Sequence, residues 1–230
     1  MPGPVALLGS GEFLPGMERL DRALIEGRPP RVVHLPTAAG QESGRRLRYW
    51  RDLARTHFTE RMGIEVETIG VLDNNSANDP ANVAKLDGAG LIYLSGGNPG
   101  YLAVALRDSA VLHRIRQLMD EGVAIAGCSA GASALTAVAP DVRSGQGDDV
   151  GLRLIAHLAV IPHYDAARRR RKTRIDLFLR SVPEGITVVG VDEDTAIVTH
   201  DRDTFEVYGI GTAVRLRDGA VFGPGDSFQL

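Results

Sequence analysis

Short apolar runs alternate with longer amphipathic stretches over residues 1–180 of this chain. The runs fall at 4–9, 31–36, 64–69, 90–95, 123–128 and 158–163, and Gly, Pro or polar residues follow each one. Runs of that length with those boundaries read as strands. The stretches between them carry apolar residues at helical spacing. Met17, Leu20, Leu24 and Ile25 recur in 15–27, and Pro15 suits a helix start. Leu47, Trp50, Leu53, Ala54 and Phe58 share one face of a charged segment, 43–62. Asn78-Asp79-Pro80 resembles a cap for a helix reaching residue 86. A helix over 99–121 would bury Leu102, Leu106, Leu112, Ile115 and Leu118, and another runs from the end of the 123–128 strand to about 139. Residues 166–180 predict a helix with a dense basic face.

Strands alternating with helices predict an α/β fold with a doubly wound, mostly parallel sheet flanked by helices. Four further short strands, at 186–192, 196–199, 205–208 and 213–216, are joined by tight turns and predict an antiparallel C-terminal addition. Residues 141–149 are polar and Gly-rich, a loop or lid. No repeat, low-complexity segment or linker interrupts the pattern, so a single domain over residues 1–230 is the simplest account.

Composition narrows the function. The chain has 230 residues, 43% hydrophobic and 24% charged, enough for one sizeable core. A net charge of -3 argues against general nucleic-acid binding. Cys128 is the one cysteine, which excludes an internal disulfide and a cysteine-based metal cluster. The first residues lack the basic start and apolar length of a signal peptide, and no apolar run approaches a membrane span. A cytoplasmic protein without membrane or nucleic-acid partners is expected. The histidines show no paired ligand spacing, so neither metal nor cofactor is expected.

One of the apolar runs leads into Gly127-Cys128-Ser129-Ala130-Gly131, with small helix-forming residues after it. Strand, tight turn and helix form the setting in which Gly-x-Ser-x-Gly presents a nucleophile. Five-residue matches also arise by chance, so Ser129 needs partners. In an open α/β sheet they sit at the carboxyl ends of strands. There the pattern puts Ser10-Gly11-Glu12, Thr37, Ser95-Gly96-Gly97-Asn98, His163 and Asp192-Glu193-Asp194. His163 follows an apolar strand directly and is the favoured base. His57 and His113 fall in charged helical segments and read as solvated, and His34 reads as a core histidine. The orienting acid stays open among Asp192, Glu193 and Asp194, with Asp165, Asp141, Asp148 and Asp149 as alternatives. The N–H of Ala130 and an amide of the Gly96-Gly97 turn could stabilise an oxyanion.

Four segments together resemble the S51 serine peptidases, whose branches include cyanophycinases and aspartyl dipeptidases. They are Leu94-Ser95-Gly96-Gly97-Asn98-Pro99, the Ser129 motif, His163-Tyr164-Asp165 with the arginine run to Arg174, and Gly190-Val191-Asp192-Glu193-Asp194-Thr195-Ala196-Ile197. The resemblance implies a class I glutamine amidotransferase-like, flavodoxin-like fold. It implies catalytic Ser129, His163 and Glu193, with Gly97 and Ala130 as the oxyanion hole. It further implies a small acidic peptide as substrate, bound by Asn98, Arg169 and Arg171, with Arg174 at a similar spacing. A homodimer is allowed. Two rivals stand beside this: an amidotransferase-type use of Cys128, and a non-catalytic member of the fold that binds a small acidic ligand or a protein partner.

Overall fold

A computed structural model describes residues 1–140, 149–170 and 172–230. The apolar runs become β1 (Val5–Leu8), β2 (Arg31–Leu35), β3 (Glu65–Thr68), β4 (Leu91–Leu94) and β5 (Ala124–Cys128), all parallel in the order β3-β2-β4-β5-β1. Alternate residues of these strands feed two cores on opposite faces, as a period of two requires. Val5, Leu7, Val33, Leu35, Ile92, Leu94 and Ile125 face one; Ala6, Leu8, Val32, Leu91, Tyr93, Ala126 and Cys128 face the other. Burying each large aliphatic or aromatic side chain contributes about 1.5–3 kcal/mol against leaving it in water.

The helices cover both faces. α1 (Glu18–Ile25) and α2 (Gly44–Arg55) supply the Leu8 side with Leu20, Leu24, Trp50 and Ala54. The Leu7 side receives Ala77 of α3 (Asn74–Ala77) and partly buried Val83 of α4 (Pro80–Ala84). It also takes Leu102 and Leu106 of α5 (Pro99–Leu106), Ile115 and Leu118 of α6 (Ala110–Asp120) and Leu135 of α7 (Ala130–Leu135). The single helix expected over 99–121 is broken in two. Asp108 takes φ 56°, and the Ser109 hydroxyl caps α6 by accepting the Leu112 N–H at 3.2 Å.

After α7 the chain leaves the main sheet. β6 (Leu158–Ile161) is followed by α8 (Tyr164–Arg170), α9 (Lys172–Ser181) and β7 (Thr187–Val191), and β6 pairs with β7 in parallel. The chain then re-enters the main sheet through β8 (Thr195–Thr199), antiparallel to β1, and β9 (Thr204–Gly209). β10 (Ala213–Arg215) and β11 (Ala220–Phe222) complete the four-stranded order β11-β10-β7-β6, and β12 (Ser227–Gln229) closes the main sheet's edge against β9. The antiparallel strands expected near the C-terminus are therefore shared between two sheets. No helix among the described residues is long and apolar enough to cross a membrane.

Candidate active site

Two neighbouring carbonyls at the end of β1 anchor the site. Ser129 N–H donates to the Leu8 carbonyl (2.9 Å) and His163 N–H to the Gly9 carbonyl (3.3 Å). Ser129 joins β5 to α7 with φ 51°, ψ -107°. A positive φ costs a non-glycine residue of order 1–3 kcal/mol, so the packing around it must enforce it. Gly131 lets the turn close: a Cβ there would stand 2.2 Å from the Leu94 carbonyl oxygen. His163, two residues past β6, also takes a positive φ, 50°. Gly9 brings the two sheets together, because a Cβ on it would lie 2.1 Å from the Asp192 carbonyl oxygen at the end of β7.

The side chains form a series. Ser129 Oγ is 3.0 Å from His163 Nε2, and His163 Nδ1 is 2.8 Å from Glu193 Oε1. With Glu193 ionised, Nδ1–H donates to it and the Nε2 lone pair faces the serine hydroxyl. Local contacts separate Glu193 from its neighbours. Asp192 is buried, and its Oδ2 accepts the Thr212 N–H (3.0 Å) and hydroxyl (2.7 Å). Asp194 N–H donates to Ser10 Oγ at 3.4 Å. Asp165, an alternative acid, stands behind Glu193 and accepts its N–H at 3.1 Å. Burial works to raise the Asp165 carboxyl, but the N–H groups of Glu193 and Ala166 and the Arg169 charge outweigh it and hold the group below its usual range. Asp149 is exposed, and Asp141 and Asp148 lie outside the described residues.

The turn after β4 faces Ser129. Gly97 has φ 148°, and a Cβ there would meet the Ala38 carbonyl oxygen at 2.3 Å, so only glycine fits. The preceding amide, on Gly96, is taken: it donates to Glu12 Oε1 at 3.1 Å. Gly97, exposed at the turn, is left as the amide on this side that can face a ligand. Ala130 opens α7 with its side chain buried.

The sequence pattern places Glu12 among the strand ends but gives it no role. Its buried carboxylate accepts the Gly96 N–H and, through Oε2, the Cys128 thiol at 2.8 Å. It thus ties the residue before Gly97 to the residue before Ser129. The available signal was its place after β1, among the strand ends. Burial, and then the neighbouring Glu12 charge, push the Cys128 thiol well above its ordinary range. A thiol held protonated is a poor nucleophile.

Two of the expected substrate contacts have partners within the protein. Asn98 is buried and caps α5, accepting the Tyr101 N–H at 3.4 Å. Arg169 donates to the Asp165 carbonyl (3.0 Å) and carboxylate (3.3 Å). Arg171 lies outside the described residues, and Arg174 is exposed on α9. His57, expected in solvent, is fully buried against Asp21 (2.8 Å), because α2 continues into a π-helical turn, Thr56–Arg61, that faces the core. His34 is buried as expected, bonded to Ser95 Oγ (2.9 Å) and Thr68 Oγ1 (3.0 Å), and burial lowers its pKa to about 3. Among the described residues no three His, Cys, Asp or Glu side chains are grouped to hold a metal ion.

A serine on a strained strand-to-helix turn, followed in series by an imidazole and a carboxylate at the carboxyl edge of a parallel sheet, is the geometry of a hydrolase of the α/β class. The family is specific: residues 5–207 match the Peptidase family S51 model, and the chain belongs to that family. A cyanophycinase from Geminocystis herdmanii (strain PCC 6308) is 29% identical over 70% of this chain and 61% of its own length. An uncharacterized peptidase from Bacillus subtilis (strain 168) is 27% identical over 62% of this chain and 58% of its own. The chain thus spans about three fifths of these curated relatives. The crystal structure of a peptidase from an acI-B1 Actinobacterium superimposes with TM-score 0.91 at 32% identity, covering 100% of this chain and 98% of that one. A putative peptidase E from Listeria monocytogenes EGD-e shares the fold, with TM-score 0.68 at 17% identity over 92% of this chain and 100% of that one.

Proposed function

We propose that this protein is a serine peptidase that hydrolyses a peptide or isopeptide bond next to an aspartyl residue in dipeptides or short peptides. The observation that carries the reading is the unbroken series Ser129 Oγ, His163, Glu193, at 3.0 and 2.8 Å. The aspartyl preference draws on the relatives named cyanophycinase and peptidase E.

In this reading His163 Nε2 takes the Ser129 proton as Oγ attacks the scissile carbonyl carbon. The negative oxygen that forms receives N–H groups from Gly97 and Ala130, each such donor being worth about 10²–10³ in rate. His163 returns its proton to the leaving nitrogen, the C–N bond breaks, and an acyl ester remains on Ser129. Water, deprotonated by the same Nε2, then hydrolyses the ester. Glu193 keeps the proton on Nδ1 and balances the imidazolium. Asp165, itself held by Arg169, fixes the backbone of Glu193 and acts as a positioning residue.

The test is a panel of Asp-Xaa, β-Asp-Arg and neutral dipeptides, assayed with wild type, Ser129→Ala and Cys128→Ala. Cleavage of an aspartyl member that is lost in Ser129→Ala and kept in Cys128→Ala supports the reading. A folded protein that cleaves none and ignores a fluorophosphonate probe is instead a binding member of the fold.

A further inference from the structure

Helix α2 borders the Gly96-Gly97 turn. A Cβ placed on Gly96 would lie 3.6 Å from Ser129 Cβ and 3.7 Å from Trp50 Cη2. The edge of the buried Trp50 indole therefore reaches the same Gly96 position that borders Ser129. The same indole carries a cation: Arg46 Cζ lies 5.0 Å from its ring centroid and 4.7 Å from that of Tyr49. Arg46 and Tyr49, with Glu42, Ser43 and Arg45, line a cavity of about 550 Å³. Pockets of a few hundred Å³ are the usual size for small-molecule sites. Two arginines face one acid in this lining. Glu42 meets Arg46 on its Nε edge, 3.4 Å away, and the Arg46 side chain stays 48% exposed. A guanidinium held between two rings whose planes are 68° apart has lost much of its rotational freedom before any ligand arrives, so less is lost on binding.

We propose that this cavity is a substrate subsite for a carboxylate set two or three residues from the scissile bond, with Arg46 as its principal contact. Arg46 lies over the Trp50 ring, whose edge reaches the Gly96 position beside Ser129, and an extended peptide advances about 3.3–3.6 Å per residue. The subsite supplies acidic recognition from α2, on the side of the Gly96-Gly97 turn; Arg46 meets Glu42 there at 3.4 Å, much as Arg169 on α8 meets Asp165 at 3.3 Å. The proposal rests on Ser129 being the nucleophile of a peptidase.

The experiment uses internally quenched hexapeptides centred on Asp-Leu, with either Glu or Gln two residues from the scissile bond, assayed with wild type, R46Q and R46K. Arg46 is half-exposed and the ion pair is screened by solvent, so wild type should favour the Glu peptide by about two- to fivefold in kcat/KM. R46Q should abolish the preference, the change falling on KM. R46K should lie between, because an ammonium keeps the charge and loses the stacked, planar fork. Equal ratios in wild type and R46Q, at matched melting temperatures, overturn the subsite; so does a wild type that cleaves both peptides equally. If neither peptide is cleaved and a fluorophosphonate leaves Ser129 unlabelled, the peptidase reading is what fails. Calorimetric titration of both peptides then decides the subsite alone. Tighter binding of the Glu peptide that R46Q abolishes supports it, and equal affinities reject it.

Discussion

The two sheets contribute differently to the site. The main sheet delivers Ser129 and the Gly97 turn from strands whose residues are buried on both faces, and close backbone approaches leave these positions almost no latitude. The smaller sheet delivers His163 and Glu193, whose side chains are 42% and 47% exposed. The halves meet through Ser129 Oγ and His163 Nε2, the Gly9 carbonyl with the His163 N–H, and the approach of Gly9 to Asp192, and the two sheets share one apolar core through Val160, Val189 and Val191. The half proposed to bind the electrophile is thus preorganised by steric necessity, and the half proposed to transfer protons by hydrogen bonds in partial contact with water. Exposed charge pairs are weakened by solvent, so the second half should be the more tolerant one.

The largest expected effect is on Ser129. Ser129→Ala should lower turnover by at least about 10³-fold. Ser129→Gly should lose the same activity yet melt higher than Ser129→Ala, because glycine accepts φ 51° without strain. Equal melting temperatures would remove strain from the account. His163→Ala should match the loss in Ser129→Ala. Glu193→Gln, acting at a half-exposed carboxylate, should cost about 10–10², short of the roughly 10⁴ seen where a buried triad acid is neutralised. A loss in Glu193→Gln as large as in His163→Ala would erase the difference between the halves.

Gly97→Ala tests the rigid half. It drives a methyl into the Ala38 carbonyl and should cost about 1–3 kcal/mol in denaturant unfolding, together with a fall in kcat. Asp165→Asn tests the tolerant half and should reduce kcat only a few-fold. Its pH dependence has a definite sign. The folded carboxyl lies below its unfolded value of 3.8, so its stabilisation is present above that pH and is lost as pH falls through the folded pKa. Wild type and Asp165→Asn should therefore differ in melting temperature at pH 7 and begin to converge only as pH falls below 3.8, toward the folded pKa. The smallest effect belongs to Cys128: its raised thiol should resist iodoacetamide at pH 8, with activity retained. Rapid alkylation that abolishes turnover would reopen the cysteine alternative.

Much of the rigid half was legible along the chain. The strand before Ser129 and the small residues after it announce a tight turn, and the double glycine after β4 announces another. Glu12 was not legible as a partner of both turns, because its contacts with Gly96 and Cys128 span 84 and 116 residues. The tolerant half was legible as strand ends but not as a second sheet. Periodicity reports which residues face a core; it carries no record of which strand pairs with which. His57 misled for a related reason: a charged helix hid a buried residue whose partner, Asp21, lies 36 positions earlier. Asn98 stands out in the sequence by its place beside the Gly96-Gly97 turn and Arg169 by its spacing from His163; the partners they take up, the Tyr101 N–H and Asp165, were not legible.

By itself the sequence determined the alternation of strands and helices, the elbow at Ser129 and the absence of any internal disulfide. Each follows from interactions within a few residues or from composition. Tertiary structure decided that β6 and β7 leave the main sheet, that Glu193 rather than Asp192 or Asp194 meets His163, and that Arg46 lies over the Trp50 ring, whose edge reaches the Gly96-Gly97 turn. Those outcomes depend on which side chain is already occupied by a distant partner. Thr212 holds Asp192, Ser10 meets the backbone of Asp194, and Trp50 supports Arg46.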